Sequence, residues 1–384
     1  MMKKKVVFVG LSGGVDSAVS ATLLKKAGYE VVGVFIKTWH PSFLVCHEEE
    51  ERRDAMRVAA YLDIPFLTFD FENVYKKEVA DYMIREYKMG RTPNPDVMCN
   101  KEVKFGAFLK KALAMGADCV ATGHYAQVGE AGNYFFSGPR FSGSLPRPDH
   151  VKKYFQLRQS PDHTKDQSYF LWTLTQEQLS KIIFPVGNFK KKEVRKLAKK
   201  FGLPVAEKKD SQGICFLGSV DLKEFLKHYI KPKKGEVVFV PSEVEGGGKK
   251  VIGWHSGVVF STLGERHGFT ITKKSPNDGR YYIIGKDIKK NILTVSSRQD
   301  LVQHNSTILT NYRIENVNWI TKIPDGEKTY TAQIRYHGEL LLCKVKIVRQ
   351  DLTTVIFQKP VLVASGQSCV LYDDDICLGG GVVK

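Results

Sequence analysis

The sequence predicts an α/β fold: a Rossmann-like parallel-sheet domain followed by two small β-rich domains, the last of them a β-barrel. Three observations predict it. The run Val6 to Val9 is apolar without interruption, ends in Gly10-Leu11-Ser12-Gly13-Gly14, and passes directly into the helical pattern of Val15 to Leu24. An uninterrupted run, unlike an alternating one, marks a strand buried on both faces, as in a parallel sheet. Strand-like and helix-like stretches then alternate through the first half of the chain, the order that builds right-handed βαβ units. From about Lys231 the character changes to short β-type runs separated by Gly, Pro, Asn and Asp, as small all-β domains require. The 384 residues leave room for two or three domains, and the breaks fall near 230 and 300, giving units 1–230, 231–299 and 300–384.

The elements follow in order. Gly28 caps the first helix, and Val31 to Ile36 is a second buried strand. Glu48 to Leu62 is an amphipathic helix with Ala55, Val58, Ala59 and Leu62 on its apolar face. Ile64 to Phe69 is a third strand, and Val74 to Lys88 a helix ending near Gly90. Pro93 and Pro95 impose an extended loop on the stretch up to Cys99, and Asn100 is placed to cap a helix from Lys101 to Met115. Asp118 to Tyr125 holds a fourth short strand that ends at Gly123. Residues 130–150, rich in Gly, Ser, Pro and aromatics, read as a loop excursion or hairpin. From Lys181 to Asp210 ten Lys/Arg stand against three Asp/Glu, while Phe189, Val194, Leu197, Ala198 and Phe201 keep one face apolar. Those lysines cover either a solvated surface or a contact with an RNA backbone. Glu236 to Val240, Val258 to Thr262, Tyr281 to Ile284 and Leu293 to Ser296 are the β-type runs of the middle domain. Thr329 to Tyr336, Leu340 to Val348, Thr353 to Phe357 and Cys369 to Leu371 are those of the barrel.

Composition narrows the class. A net charge of +17 favours a polyanionic partner. Seven cysteines, an odd number scattered along a long chain, argue against a disulfide-framework secreted protein. Met1-Met2-Lys3-Lys4-Lys5 before Val6 imitates a signal peptide, but the apolar run is too short and leads straight into Gly13-Gly14. No stretch reaches the roughly 18 apolar residues of a membrane span. The expectation is a cytoplasmic protein with no membrane partner.

Two constellations carry chemistry. In Gly10, Leu11, Ser12, Gly13, Gly14, Val15, Asp16 and Ser17 the glycines let a ligand approach the backbone closely. The N–H groups there and the helix start form a cradle for phosphate. Ser12 and Ser17 add hydroxyl donors, and Asp16 can hold Mg²⁺. The Lys and the spacing of a Walker A loop are missing. The second constellation is Cys99 and Cys215, both in Gly- or Pro-marked segments beside polar residues. Cys99 stands at or just before a predicted helix start, where the dipole favours thiolate. The two are too far apart in sequence for a zinc knuckle or a CxxC pair, so only the fold can join them, and spacing alone leaves that pairing open. Cys119, Cys343, Cys369 and Cys377 read as small buried hydrophobes. His40, Cys46 and His47 are irregularly spaced in a polar loop, and no metal site is assigned to them.

The glycine loop resembles that of the ATP-pyrophosphatase (adenine nucleotide alpha hydrolase-like) family, which cleaves ATP between its α and β phosphates. Pro93 to Phe105, Gly123-His124-Tyr125-Ala126, Lys165 to Leu171, Asp210 to Phe216, Gly366 to Tyr372 and Leu378 to Gly381 resemble, in order and spacing, the motifs of the tRNA-specific 2-thiouridylases. The likeness runs with gaps from residue 6 to the end; the excursion near 130–155 is longer than usual, and Gly253 to Gly268 keeps the layout with altered residues. The resemblance implies ATP-dependent 2-thiolation of the wobble uridine of tRNA, with release of AMP and pyrophosphate, and with ATP and Mg²⁺ as cofactors. It implies ATP contacts at residues 10–17, Ile36 and Gly123. Cys215 matches the persulfide carrier, loaded by a sulfur-donor protein, Cys99 the nucleophile that forms a disulfide with it, and Asp96 the general acid/base. Asn94, Pro95 and Asp96 match contacts to the target base, and Lys165, Asp166, Gln167, Arg335 and Tyr336 contacts to tRNA. A small-molecule ligase with the same loop, a tRNA lysidine synthetase and a non-catalytic RNA-binding protein are the competing readings.

Overall fold

The computed structural model describes residues 4–44, 47–131, 154–210, 213, 215, 221–239, 249–273, 279–297 and 309–384. Cys46, the tip of the 130–155 excursion, and residues 211–220 other than Gly213 and Cys215 lie outside the described residues.

Seven strands open the fold: β1 (Val6–Gly10), β2 (Glu30–Lys37), β3 (Phe66–Asp70), β4 (Cys119–Ala121), β5 (Ala126–Glu130), β6 (Phe155–Gln159) and β7 (Ile182–Ile183). Five of them form a parallel sheet in the order β3-β2-β1-β4-β7. The apolar run at 6–10 behaves as a strand covered on both faces must, its side chains alternating between two cores. Val7 and Val9 point to a layer with Ala18, Leu24, Val58 and Val194, supplied by α1 (Val15–Lys26), α2 (Glu48–Tyr61) and the helix Lys191–Lys200. Phe8 points the other way, to Phe69, Tyr75, Met83, Val103 and Phe108. The chain winds outward from β1 to β2 and β3, then returns to lay β4 on the opposite flank. The crevice at the carboxyl ends of β1 and β4 is therefore the topological switch point, where open parallel sheets bind ligands.

One expectation is corrected here. The helix that was expected to start after Asn100 starts at Pro95, running through Pro95–Met98, Cys99–Phe108 and Leu109–Ala114. Its cap is Asn94, whose Oδ1 accepts the Val97 N–H at 3.2 Å. Pro95 was read as prolonging a loop, but proline at the first helical position has its φ preset and lacks only an N–H that would be unpaired anyway. Asn100 instead lies inside the helix, its Nδ2 donating to the Asp96 carbonyl at 2.9 Å. Cys99–Phe108 is π-helical, ten residues with i→i+5 bonding.

The middle sheet contains β8 (Gly235–Phe239), β9 (Lys250–His255), β10 (Phe269–Ile271), β11 (Tyr281–Asp287) and β12 (Ile292–Ser297), ordered β10-β9-β8-β12-β11. Val237, Ile252, Ile283, Leu293 and Val295 fill its core. Val258–Phe260, expected as a strand, is a 3-10 turn. Asn291 Oδ1 takes the Val258 N–H at 3.1 Å and His255 Nδ1 the Gly257 N–H at 3.0 Å, so side chains hold the donors a sheet ladder would need.

The last unit is β13 (Leu309–Trp319), β14 (Tyr330–Gln333), β15 (Leu341–Arg349), β16 (Leu352–Val361), β17 (Ser368–Asp373) and β18 (Ile376–Val383). They pair as β13-β16-β15-β14-β17-β18, and β18 returns to β13, closing an antiparallel six-stranded barrel. Closure is tight: a Cβ at Gly379 would sit 2.0 Å from the Asn318 carbonyl oxygen. The excursion's base is the β5–β6 hairpin, whose Leu157 and Arg158 pair with Cys377 and Ile376 of β18. The barrel also grips the stretch just before Cys99, through Thr92 N–H to Ser365 O at 2.8 Å and the Arg91–Glu315 ion pair at 3.0 Å.

Candidate active site

Residues Gly10 to Ser17 form the loop between β1 and α1. Gly13 takes a left-handed φ of +71°, and a Cβ there would fall 2.4 Å from the Glu51 carbonyl oxygen, so only glycine fits. Gly14 caps α1 without a side-chain hydrogen bond, which leaves the first-turn N–H groups of Val15, Asp16 and Ser17 as a cradle for an anion. Ser17 Oγ donates to Gly14 O at 3.0 Å and lies 3.3 Å from both Ser12 N and Ser12 Oγ, so the two hydroxyls hold the loop's shape. Gly123, at the end of β4, closes against it. A Cβ at Gly123 would stand 2.8 Å from Ser17 N. Ile36 is packed with Phe8 and Phe69 in the core beneath.

Asp16 is already engaged. The Lys191 ammonium lies 2.7 and 2.8 Å from its two oxygens, and Tyr125 OH donates to Oδ1 at 2.7 Å. Lys191 also reaches Asp210 at 2.9 Å; Lys165 pairs with Asp210 at 3.0 Å, and Arg195 joins them. Burial would raise the Asp210 carboxyl, but Lys191 and Lys165 hold it at about 2. Among the described residues no group of three or more His, Cys, Asp or Glu is disposed to hold a metal ion. Asp16 alone fits a Mg²⁺ carried mainly on phosphate oxygens, the way that ion is usually bound beside nucleotides.

Asp210 leads to the second constellation. Cys215 is five residues on, so its Cα lies no more than about 18 Å from that of Asp210, the reach of an extended chain. The Cys215 sulfur is 3.6 Å from the Cys99 sulfur, in van der Waals contact and unbonded. Asp96 Oδ1 accepts the Cys215 N–H at 2.9 Å, and Tyr75 OH donates to the Cys215 carbonyl at 2.7 Å. Lys104, half-buried five residues after Cys99 on the same helix, is near enough for its charge to act on the Cys215 sulfur. A hydrogen bond from Cys99 and the charge of Lys104 outweigh burial and bring the Cys215 thiol down to about 7. Burial pushes the Cys99 thiol well up, helped by its bond to Cys215. The dipole argument had favoured Cys99 as the thiolate; a turn inside the helix and fully buried, its thiol is pushed up rather than down. Burial also raises Asp96 above the usual carboxylate range, partly offset by the Cys215 N–H and Lys104.

The remaining predicted residues divide. Asn94 and Pro95 begin the Cys99 helix, one turn from the thiols. Tyr336 of the barrel lies over Phe170, ring centroids 4.4 Å apart, and stacks on His337 at 3.9 Å. This brings it to the Lys165–Leu171 segment from another domain. Asp166 is buried and holds Ser160 N–H and Ser168 OH at 2.8 and 2.7 Å; Gln167 Oε1 takes the Tyr125 N–H at 3.0 Å. Both side chains fasten the segment from within. Arg335 is exposed on the turn after β14. Sequence reasoning missed Lys191, Tyr125, Tyr75 and Lys104. Lys191 was hidden in a run of lysines, and its only signal was its place at a helix start.

Comparisons with known proteins identify the family. The family described as tRNA methyl transferase HUP domain matches residues 5–219, its PRC-barrel domain 223–297, and an aminomethyltransferase beta-barrel domain 309–383. The tRNA-specific 2-thiouridylase MnmA of Listeria monocytogenes is 41% identical over 383 residues, 98% of this chain and 94% of its own. That of Nitrosomonas europaea is 40% identical over 387 residues, 100% of this chain and 99% of its own. Among solved structures, the U34-tRNA thiolase NcsA of Methanococcus maripaludis aligns with a TM-score of 0.35 and 15% identity over 59% of this chain and 66% of that one. A 4-thiouridine synthetase bound to RNA and ATP gives 0.33 and 18% over 58% and 50%. The chain belongs to the family of tRNA-specific 2-thiouridylases.

Proposed function

We propose that this chain is a tRNA-uridine 2-sulfurtransferase that uses ATP to thiolate the wobble uridine of tRNA at C2. The observation that carries the reading is the pair of unbonded sulfurs 3.6 Å apart, joined by the Asp210–Cys215 segment to the network around a phosphate cradle. The matched family descriptions speak of methyl transfer, but two thiols, one held near pH 7, suit sulfur transfer. A small-molecule ligase or lysidine synthetase would need neither.

A uracil C2 oxygen is a poor leaving group. It would attack the α-phosphorus of ATP bound on residues 10–17, forming an adenylated base and releasing pyrophosphate; the Val15–Ser17 N–H groups would take up charge on the departing group. Asp16 would hold Mg²⁺, which supplies charge neutralisation to the polyphosphate. Lys191 would then leave Asp16 for phosphate while keeping its pairing with Asp210.

Cys215, whose thiol is lowered to about 7, would accept sulfane sulfur from a donor protein as a persulfide. Cys99 would attack the Cys215 Sγ atom, forming the Cys99–Cys215 disulfide and expelling hydrosulfide, which adds to C2 and displaces AMP. If the persulfide adds to C2 first, the same attack by Cys99 frees the thiouridine. An external reductant must reopen the disulfide in either case. Asp96, with its raised carboxyl, would relay the proton from Cys99. Asn94, Pro95 and Asp96 would line the extruded base, with Tyr336 as a stacking surface. Lys165, Asp166, Gln167 and Arg335 would complete the tRNA contacts, the first three by shaping the segment. The division of labour would be catalysis in 1–230, tRNA binding in 231–299 and a tRNA-facing barrel in 300–384. No helix among the described residues is long and apolar enough to cross a membrane; the work on tRNA would take place in the cytoplasm.

Incubation of the protein with ATP, tRNA and a sulfur donor should release pyrophosphate and yield 2-thiouridine by mass spectrometry of digested tRNA. Pyrophosphate released at the same rate without tRNA would point to the small-molecule ligase. Release with tRNA but without any thiouridine would point to the lysidine-type reaction.

A further inference from the structure

π-helical turns are rare and come mostly one at a time, often at functional sites. Here the run Cys99–Phe108 lasts ten residues, and it changes which side chains share a face. In an α-helix position i+5 is turned about 140° away from i, at 3.6 residues per turn. In an i→i+5 helix, residues five apart come onto one face. Cys99 and Lys104 are five apart, so the wide winding sets the lysine beside the thiol. Gly106 makes the winding possible at close quarters: a Cβ there would approach the Lys101 carbonyl oxygen, five residues back, to 2.8 Å.

An ammonium group in a partly dry site is retained only beside an anion. Among the described residues four titratable groups surround Cys215: the Cys99 thiol at its sulfur, the Lys104 ammonium, the Asp96 carboxyl on its N–H and the Tyr75 hydroxyl on its carbonyl. Burial favours the neutral forms of Cys99, Asp96 and Tyr75. Behind Lys104, burial and the lysine's own charge keep His124 neutral. Of the groups gathered here the Cys215 sulfur is the one best placed to carry a charge opposite to Lys104.

Building on the sulfur-transfer reading, we propose that Lys104 is a catalytic residue: its ammonium group, swung onto the Cys99 face by the π-helical run, holds the Cys215 sulfur as an anion. The same ammonium would neutralise the terminal sulfur of a persulfide carried there. Its partner chemistry is thus a small, soft sulfur anion, and the lysine confers reactivity on a half-buried cysteine.

The test reads Cys215 directly. The rate of alkylation of Cys215 by iodoacetamide is followed against pH by peptide mass spectrometry in the full chain, for wild type, Lys104→Met and Lys104→Arg. Wild type should give a midpoint near 7. Lys104→Met should move it to the ordinary thiol value of about 8.5 or above, slowing alkylation at pH 7 roughly tenfold. Lys104→Arg should keep it within about half a unit of wild type. A Lys104→Met protein that binds ATP normally and keeps the wild-type midpoint overturns the proposal, with Asp96 then the group the lysine serves. If Lys104→Met does not fold, Lys104→Arg decides, a midpoint near 8.5 counting against the proposal. Failure of the sulfur-transfer reading looks different: a Cys215→Ser protein would still thiolate tRNA, while the midpoint shift in Lys104→Met would stand.

Discussion

Shielded cysteines occur in two settings in this molecule. In the barrel, Cys343 and Cys369 pack among Tyr330, Val345 and Leu371, and Cys377 lies on the neighbouring strand. There burial decides alone or nearly so, pushing Cys343 and Cys377 up to about 12 and Cys369 higher. At the Cys99 helix, Cys99 is shielded as well and Cys215 half-buried, but a cation, Lys104, stands beside them. Cys215 consequently falls to about 7. Shielding by itself makes a thiol an inert hydrophobe; shielding with a fixed ammonium makes it a nucleophile, because the low dielectric that penalises a lone charge strengthens a pair. On the proposed reading the barrel cysteines are packing, and the pair at 99 and 215 is chemistry.

The sharpest way to break this contrast is to remove one sulfur from each setting. Cys99→Ser and Cys215→Ser should each lower thiouridine formation at least about 10³-fold, with ATP affinity within twofold of wild type by equilibrium dialysis; normal thiouridine from either variant refutes the two-thiol mechanism. Reactivity should divide next. At pH 7 iodoacetamide should label Cys215 at least about 10³-fold faster than Cys343, Cys369 or Cys377, following thiolate fraction and access. The sign is fixed by the lowered value: as pH falls from 7 to 6 the thiolate of a group near 7 is lost, so labelling of Cys215 should drop about fivefold. Smaller is the effect on the nucleotide cradle. Gly123→Ala places a methyl group 2.8 Å from Ser17 N and should weaken ATP binding about tenfold, with Cys215 labelling unchanged; unchanged ATP affinity would mean that the cradle yields. Smallest is Cys369→Ala, which should cost about 1 kcal/mol of stability in urea unfolding and leave thiolation untouched.

How much of this was legible in the sequence follows from the range of the forces involved. The glycine loop was legible because close backbone approach demands glycine locally, and Gly13 and Gly123 each meet backbone that leaves no space for a side chain. The parallel sheet was legible from the apolar run at Val6 to Val9, and the barrel from its alternating strands. The helix start at Pro95 was misread because proline both breaks a helix and begins one, and Asn94 settles which only through its bond to Val97. The charge state of the cysteine pair was not legible. It depends on Lys104, which an α-helical wheel places on the wrong face and only the π-helical run brings round. Lys191 was equally hidden, since its partners Asp16 and Asp210 are neighbours in space alone. Asp166 and Gln167, expected to face tRNA, use their polar atoms within the fold.

The most direct measurement is a single turnover without reductant. The protein, loaded with sulfur on Cys215, is given ATP and tRNA, and thiouridine and protein disulfide are counted by mass spectrometry from the same tube. One Cys99–Cys215 disulfide should appear for each thiouridine, whether hydrosulfide or the persulfide attacks first. Thiouridine accumulating while both thiols remain alkylatable would contradict the account.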